Sequence, residues 1–204
     1  GPPTQGTRFP PSAAPQTSPY DQPDMPGANS TVSQYFPDFP TVSSQTADDF
    51  VVPAGGWTIG QVNVLGVYFN GTGPATDVNV FFYANAGGLP GAAVAGGTYL
   101  NVPVTSGLAT GAFQIVLPTS LTLAPGTYWV SVQANMSFGA GGEWGWTDRN
   151  ITSNSPAAFQ NPGGGFAICP TWGSRGATCG IDAPSPDQLY QLLTPGGIVC
   201  NGSC

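Results

Sequence analysis

Short apolar runs with a two-residue period dominate the chain after residue 45. The clearest is 77–83, DVNVFFY, which puts Val78, Val80 and Phe82 on one face of an extended segment. Comparable runs predict strands over 45–52, 57–69, 98–104, 112–117, 127–134, 143–148 and 188–193. Gly60 and Gly66 fall inside the long second run and mark bulges. Asn70-Gly71-Thr72-Gly73-Pro74 and Gly87-Gly88-Leu89-Pro90-Gly91 read as turns. No stretch carries an amphipathic helical period. The prediction is an all-β fold, an antiparallel β-sandwich or jelly roll over 45–193.

The first 44 residues break this pattern. Ten of the 22 prolines lie in 1–40, and each removes a backbone donor. The segment predicts an extended Pro-rich N-terminal arm, which wraps its own domain or docks on a neighbouring molecule. Its longest alternating proline-free stretch is 29–36, NSTVSQYF, with Val32, Gln34 and Phe36 on one side and Thr31, Ser33 and Tyr35 on the other. That stretch suits donation as a strand to an open sheet edge. Ordering eight residues costs about 8–16 kcal/mol. Some six ladder bonds return about 3–9 kcal/mol, and burying Val32, Tyr35 and Phe36 returns about 2 kcal/mol each. The balance is near zero, so docking calls for further anchors: Phe9, Tyr20 and Phe39. The tail, 194–204, carries two cysteines.

Charge is scarce. Three arginines and ten acids make 6% of the chain, against roughly 25% in an ordinary domain. There is no Lys and no His, and the net charge of −7 excludes the basic footprint of a nucleic-acid binder. No apolar run approaches the length of a membrane span. The chain starts without Met or a signal-peptide core, which predicts a processed, secreted, extracellular protein.

Cys169, Cys179, Cys200 and Cys204 are even in number, which in a secreted chain predicts disulfides. Three pairings are open; short loop closure favours Cys169–Cys179 with Cys200–Cys204. Asn29, Asn70, Asn135, Asn150 and Asn201 each begin an Asn-x-Ser/Thr sequon. The chain's 11 Asn and 35 Ser or Thr would give about two sequons by chance, so five is an excess. Covalent glycans would also keep so uncharged a surface soluble.

Catalytic chemistry is poorly supplied. Without His or Lys the usual bases and triads are missing, and no enzyme is expected. The remaining carboxylate pairs are Asp48 with Asp49, which alternate to opposite faces of a strand, and Glu143 with Asp148. No cofactor is expected; Asp48, Asp49 or Asp77 offers oxygen for Ca²⁺, without the spacing of a calcium loop. Trp144 and Trp146 share one strand face, as either core or a sugar-stacking platform.

Ala47-Asp48-Asp49-Phe50, Pro53, Trp57-Thr58-Ile59, Gly88-Leu89-Pro90-Gly91, Leu123 to Val130 (LAPGTYWV) and Pro186 to Leu192 (PDQLYQL) occur in an order that resembles jelly-roll-like domains of secreted bacterial proteins, often appended to proteases or cell-surface chains. The resemblance covers about 45–193 and implies a secreted β-sandwich, not a chemistry. The arm-plus-sandwich layout resembles subunits of donor-strand extracellular fibres. The expected function is therefore a structural subunit of a glycosylated filament, a homopolymer built head-to-tail through the arm. A secreted carbohydrate-binding or accessory module is the alternative, and it requires exposed, coplanar Trp144 and Trp146.

Overall fold

The computed structural model describes residues 16–196. They form antiparallel sheets packed as a sandwich. One layer holds β4 (Gln45–Val52), β7 (Asp77–Asn85), β8 (Pro90–Val102), β10 (Gly126–Asn135), β12 (Ala158–Gln160) and β13 (Gly173–Ser174), ordered β13-β12-β4-β10-β7-β8. The facing layer holds β1 (Tyr20–Gln22), β15 (Tyr190–Leu193), β5 (Trp57–Val64) and β9 (Phe113–Leu123), in the order β1-β15-β5-β9. A smaller sheet places β11 (Glu143–Arg149) between β2 (Pro26–Val32) on one side and β14 (Asp187–Gln188) with β6 (Gly66–Phe69) on the other.

The predicted period holds where it matters. Val78, Val80 and Phe82 of β7 are opposite Ala134, Val132 and Val130 of β10, and all six are buried. Phe50 and Val52 of β4 join them from one side; Val62, Val64, Ile115 and Leu192 close the core from the facing layer.

Differences from the sequence reading have local causes. The run 57–69 splits at Leu65, where three backbone bonds knit Leu65, Leu189 and Thr147 and the strand changes partners. Gly60 does sit at a register shift between β5 and β9. Gly66 instead allows close approach: a Cβ there would meet the Trp144 indole at 2.5 Å. β8 begins eight residues before the predicted 98, running through the bulges that pair it with β7. The one described α-helix is a single turn, α1 (Phe138–Gly141). No helix among the described residues is long and apolar enough to cross a membrane.

The arm, from residue 16 onward, lies on its own chain in this structure. β1 pairs antiparallel with β15, β2 with β11, and β3 (Gln34–Tyr35) runs parallel beside β10. The predicted strand 29–36 is thus two pieces, β2 and β3, separated at Ser33. Pro26 can open β2 because an edge strand tolerates a missing donor.

Trp144 and Trp146 are fully buried. Trp144 stacks on Phe113 at 4.8 Å, and its Nε1 donates to the Gly111 carbonyl. Trp146 meets Tyr190 edge-on and donates to the Leu189 carbonyl. Of the two readings of this pair, core holds: both rings are buried, and the exposed platform that a carbohydrate-binding module requires is not formed by them. Trp146→Ala should cost about 3–5 kcal/mol in urea unfolding; a loss below about 1 kcal/mol would contradict this burial.

Candidate functional site

The chain's few charges gather at one place. Period two makes Asp48 share the inward face of β4 with Phe50 and Val52, and makes Asp148 share the face of β11 that carries Trp144 and Trp146. Both carboxylates are fully buried. Around them lie Asp49, Asp182, Asp187, Arg149 and Arg175.

The arm supplies donors to these acids. Gln22 Nε2 donates to Asp48 Oδ2 at 2.8 Å and to the Gln188 carbonyl at 2.7 Å. Thr31 Oγ1 donates to Asp148 Oδ1 at 2.8 Å, an oxygen that also accepts from Gln188 Nε2 at 2.9 Å. Arg175 Nη1 donates to Asp148 Oδ2 and to Thr31 Oγ1, each at 3.0 Å. Asp24 accepts from Arg149 at 2.8 Å, and Arg149 also reaches Asp187 and Ser153. Further along the arm, Gln34 donates to the Met136 and Gly142 carbonyls and accepts from the Trp144 amide at 2.7 Å.

The loop after β11 provides the remaining parts. Cys169 and Cys179 form the predicted local disulfide, which closes the segment presenting Arg175. Cys200 and Cys204 lie outside the described residues. Ser155 N donates to both oxygens of Asp49, and Ser153 N to Asp187 at 2.5 Å. Arg175 Nη2 donates to the Ser185 carbonyl.

Burial raises the carboxyl groups. Asp48 moves well above its ordinary range, through desolvation and then the neighbouring Asp187 charge. Desolvation takes Asp187 to about 7 and Asp49 to about 6. It takes Asp148 to about 7 against the pull of Arg175. Asp182 moves the other way: burial opposes, but hydrogen bonding with Asp148, Ser185 and Asn29 and the Arg175 charge outweigh it. An ionised Asp182 keeps a counter-charge for Arg175 when Asp148 holds a proton.

The other sequence-predicted residues are scattered. Asp48 and Asp49 point to opposite faces of β4. Glu143 is bonded to Asn70 Nδ2 at 2.5 Å and lies on the opposite face of β11 from Asp148, so that pair does not converge. Asp77 accepts from Asn135. Among the described residues, no group of three or more acids or cysteines converges as a metal site. Asn29, Asn70 and Asn150 are exposed. Asn135 is half-buried, with Nδ2 donating among Asp77, Asn79 and Asn101, so a sugar there displaces existing bonds. Asn201 and Phe9 lie outside the described residues.

Of the expected arm anchors, Phe36 is buried and Tyr20 is half-buried, stacked on Tyr190 at 5.4 Å. Val32 is half-buried, while Tyr35 and Phe39 are exposed. The anchors that sequence reasoning missed are polar: Gln22, Thr31, Ser33 and Gln34, all buried. Strand period was the available signal, since it places Asp48 and Asp148 among core residues, where each requires donors.

No protein-family model, no curated protein and no solved structure matches the chain. The likeness of 45–193 to secreted jelly-roll-like domains rests on the quoted motifs alone.

In chemical terms, most donors and acceptors of this node are engaged with chain segments, while Arg175 Nε, Asp182 Oδ2, Asp187 Oδ1 and Gln188 Oε1 are buried without a hydrogen-bond partner among the described residues, and what the node does is hold the arm in register. The raised acids bind more protons folded than unfolded between pH about 4 and about 7. Their contribution is full below the unfolded value and is lost as pH rises through the folded values. Asp38 and Asp182, with lowered values, act oppositely only at the acid end. The thermal midpoint should therefore fall as pH rises from 4.5 to 8 at constant ionic strength; a midpoint that rises across this range would contradict the buried, proton-holding node.

Proposed function

We propose that the protein is a structural subunit of an extracellular, glycosylated filament, polymerising head-to-tail when the arm of one copy takes the seat on the next. The observation that carries this reading is the form of the seat. Asp48, Asp148, Arg175, Gln188 and the edges of β15 and β11 all belong to the body, while the arm contributes Gln22, Thr31 and strands that pair on one side only. A body whose arm has left loses the Gln22 and Thr31 donors to Asp48 and Asp148. Leaving a buried polar group without its partner costs about 1–3 kcal/mol, so an empty seat favours refilling.

An arm from a neighbouring copy makes the same contacts as the resident one, and a head-to-tail contact that does not close gives a filament. The sequons at exposed Asn29, Asn70 and Asn150 support a sugar-coated surface, and the disulfide supports an oxidising compartment. The net charge of −7 supports a partner other than nucleic acid.

Ser30 and Thr147 face each other across β2 and β11, with their hydroxyl oxygens 3.4 Å apart. With Ser30→Cys and Thr147→Cys introduced together and oxidised after assembly, arm exchange joins successive chains. Non-reducing gels should then show a covalent ladder of multimers that the parent chain lacks. Cross-linking confined to single chains would overturn the proposal.

A further inference from the structure

The arm carries a second feature that its own domain does not use. Tyr35, Phe39 and Phe138 are 44%, 54% and 41% exposed. Phe39 and Phe138 meet edge-on at 6.2 Å, bringing the arm against the turn at α1. Pro37 and Pro40 flank them in the open. Between them Asp38 is exposed, and its two carboxylate oxygens accept the Phe138 and Gly139 amides at 3.0 Å each. These bonds, that from Gly139 first, hold its carboxyl below the usual range, so the charge is fixed and permanent above acid pH.

Rings flanked by prolines, with one oriented carboxylate, make a surface suited to a proline-rich strand carrying a cation. The chain itself contains such a strand. Residues 1–15, GPPTQGTRFPPSAAP, hold five prolines, the single cation Arg8 and no acid, whereas the remainder holds all ten acids against two arginines. Both of those arginines are buried in the node. Arg8 is therefore the chain's one arginine outside the node, and the stretch 1–15 is the one that brings net positive charge to an acidic copy. The segment ends at Gln16, whose Nε2 donates to the Thr194 carbonyl beside β15. Fifteen residues in a polyproline II conformation span about 45 Å, enough to leave one domain and lie along another.

We propose that residues 1–15 of one copy dock on the surface that Tyr35, Asp38 and Phe39 of a seated arm form with Phe138 of the neighbouring body holding it, with Arg8 against Asp38 and the Phe9-Pro10-Pro11 stretch across the rings. This rests on the arm-exchange reading and adds a second seat to the same contact. The exchanged strands supply register; the proline segment supplies a strap that leaves the strand pairing untouched.

The test uses the full chain with a photoreactive benzophenone residue in place of Phe9, assembled from equal amounts of isotopically light and heavy protein. Irradiation should give mixed-isotope cross-links from position 9 to peptides containing Phe138. Phe39→Ser together with Phe138→Ser should cut their yield about tenfold or more, the consequence of losing two aromatic contacts, with the thermal midpoint held. Arg8→Glu should lower the yield as well. Cross-links only within one isotope, or only to other surfaces, overturn the inference. The cysteine ladder keeps the two failures apart: a ladder without patch cross-links removes this strap and leaves arm exchange standing, whereas no ladder removes arm exchange itself.

Discussion

Burying a carboxylate is among the costliest things a fold can do unless donors meet it, and this chain buries several around Asp48 and Asp148. Six of its ten acids and two of its three arginines meet in one node. Such a node is a poor source of net stability, because desolvation consumes most of the Coulombic gain. Its strength is as a constraint. Each donor must arrive at one place, and three of the chain's distant parts deliver them: the arm with Gln22 and Thr31, the disulfide-closed loop with Arg175, and the C-terminal strands with Gln188.

That constraint settles the register of the arm. β2 reads PGANSTV, small and largely polar, with a half-exposed face. By hydrophobic pattern alone such a strand can slip, since no large side chain penalises a shift. A one-residue slip would turn Thr31 away from Asp148 and leave both the acid and Arg175 short of a partner. The surface follows from the same allocation. With most charges spent inside, the exterior depends on neutral Ser, Thr, Asn and Gln, and the sequon residues Asn29, Asn70 and Asn150 are exposed.

The body was legible from sequence because a two-sided sandwich writes its strands as alternation. Val78, Val80 and Phe82 announced both their strand and the face that became core. The node was not legible, because its members are separated by up to about 170 positions and no local pattern links Gln22 to Gln188. A partial signal was present. Asp48 alternates with Phe50 and Val52, and Asp148 with Trp144 and Trp146, so the period that buries the rings also buries the acids. The arm was legible as an exception, and its anchoring in part: Phe36 is buried and Tyr20 stacks on Tyr190. Large apolar residues were the natural expectation, yet Tyr35 and Phe39 stand in solvent while Gln34 is enclosed by three hydrogen bonds.

Polar anchoring changes what the arm can do when it leaves. An arm held by Phe and Leu would expose an adhesive strand on release and would aggregate as readily as it exchanged. Among the described residues of this arm only Phe36 and Tyr20 pack as large apolar anchors, and Gln22, Thr31, Ser33 and Gln34 each find water outside the seat. On the body side, Asp48 and Asp148 give up the Gln22 and Thr31 hydrogen bonds until an arm returns. The asymmetry favours occupied seats without specifying whose arm fills them. Resident and neighbouring arms make identical contacts, so their competition is decided by the connection through Pro40–Val42 and by the effective concentration of each arm. In the proposed assembly a second attachment on the neighbour shifts that competition outward, and the chain's one arginine outside the node, Arg8, lies in the stretch that would provide it.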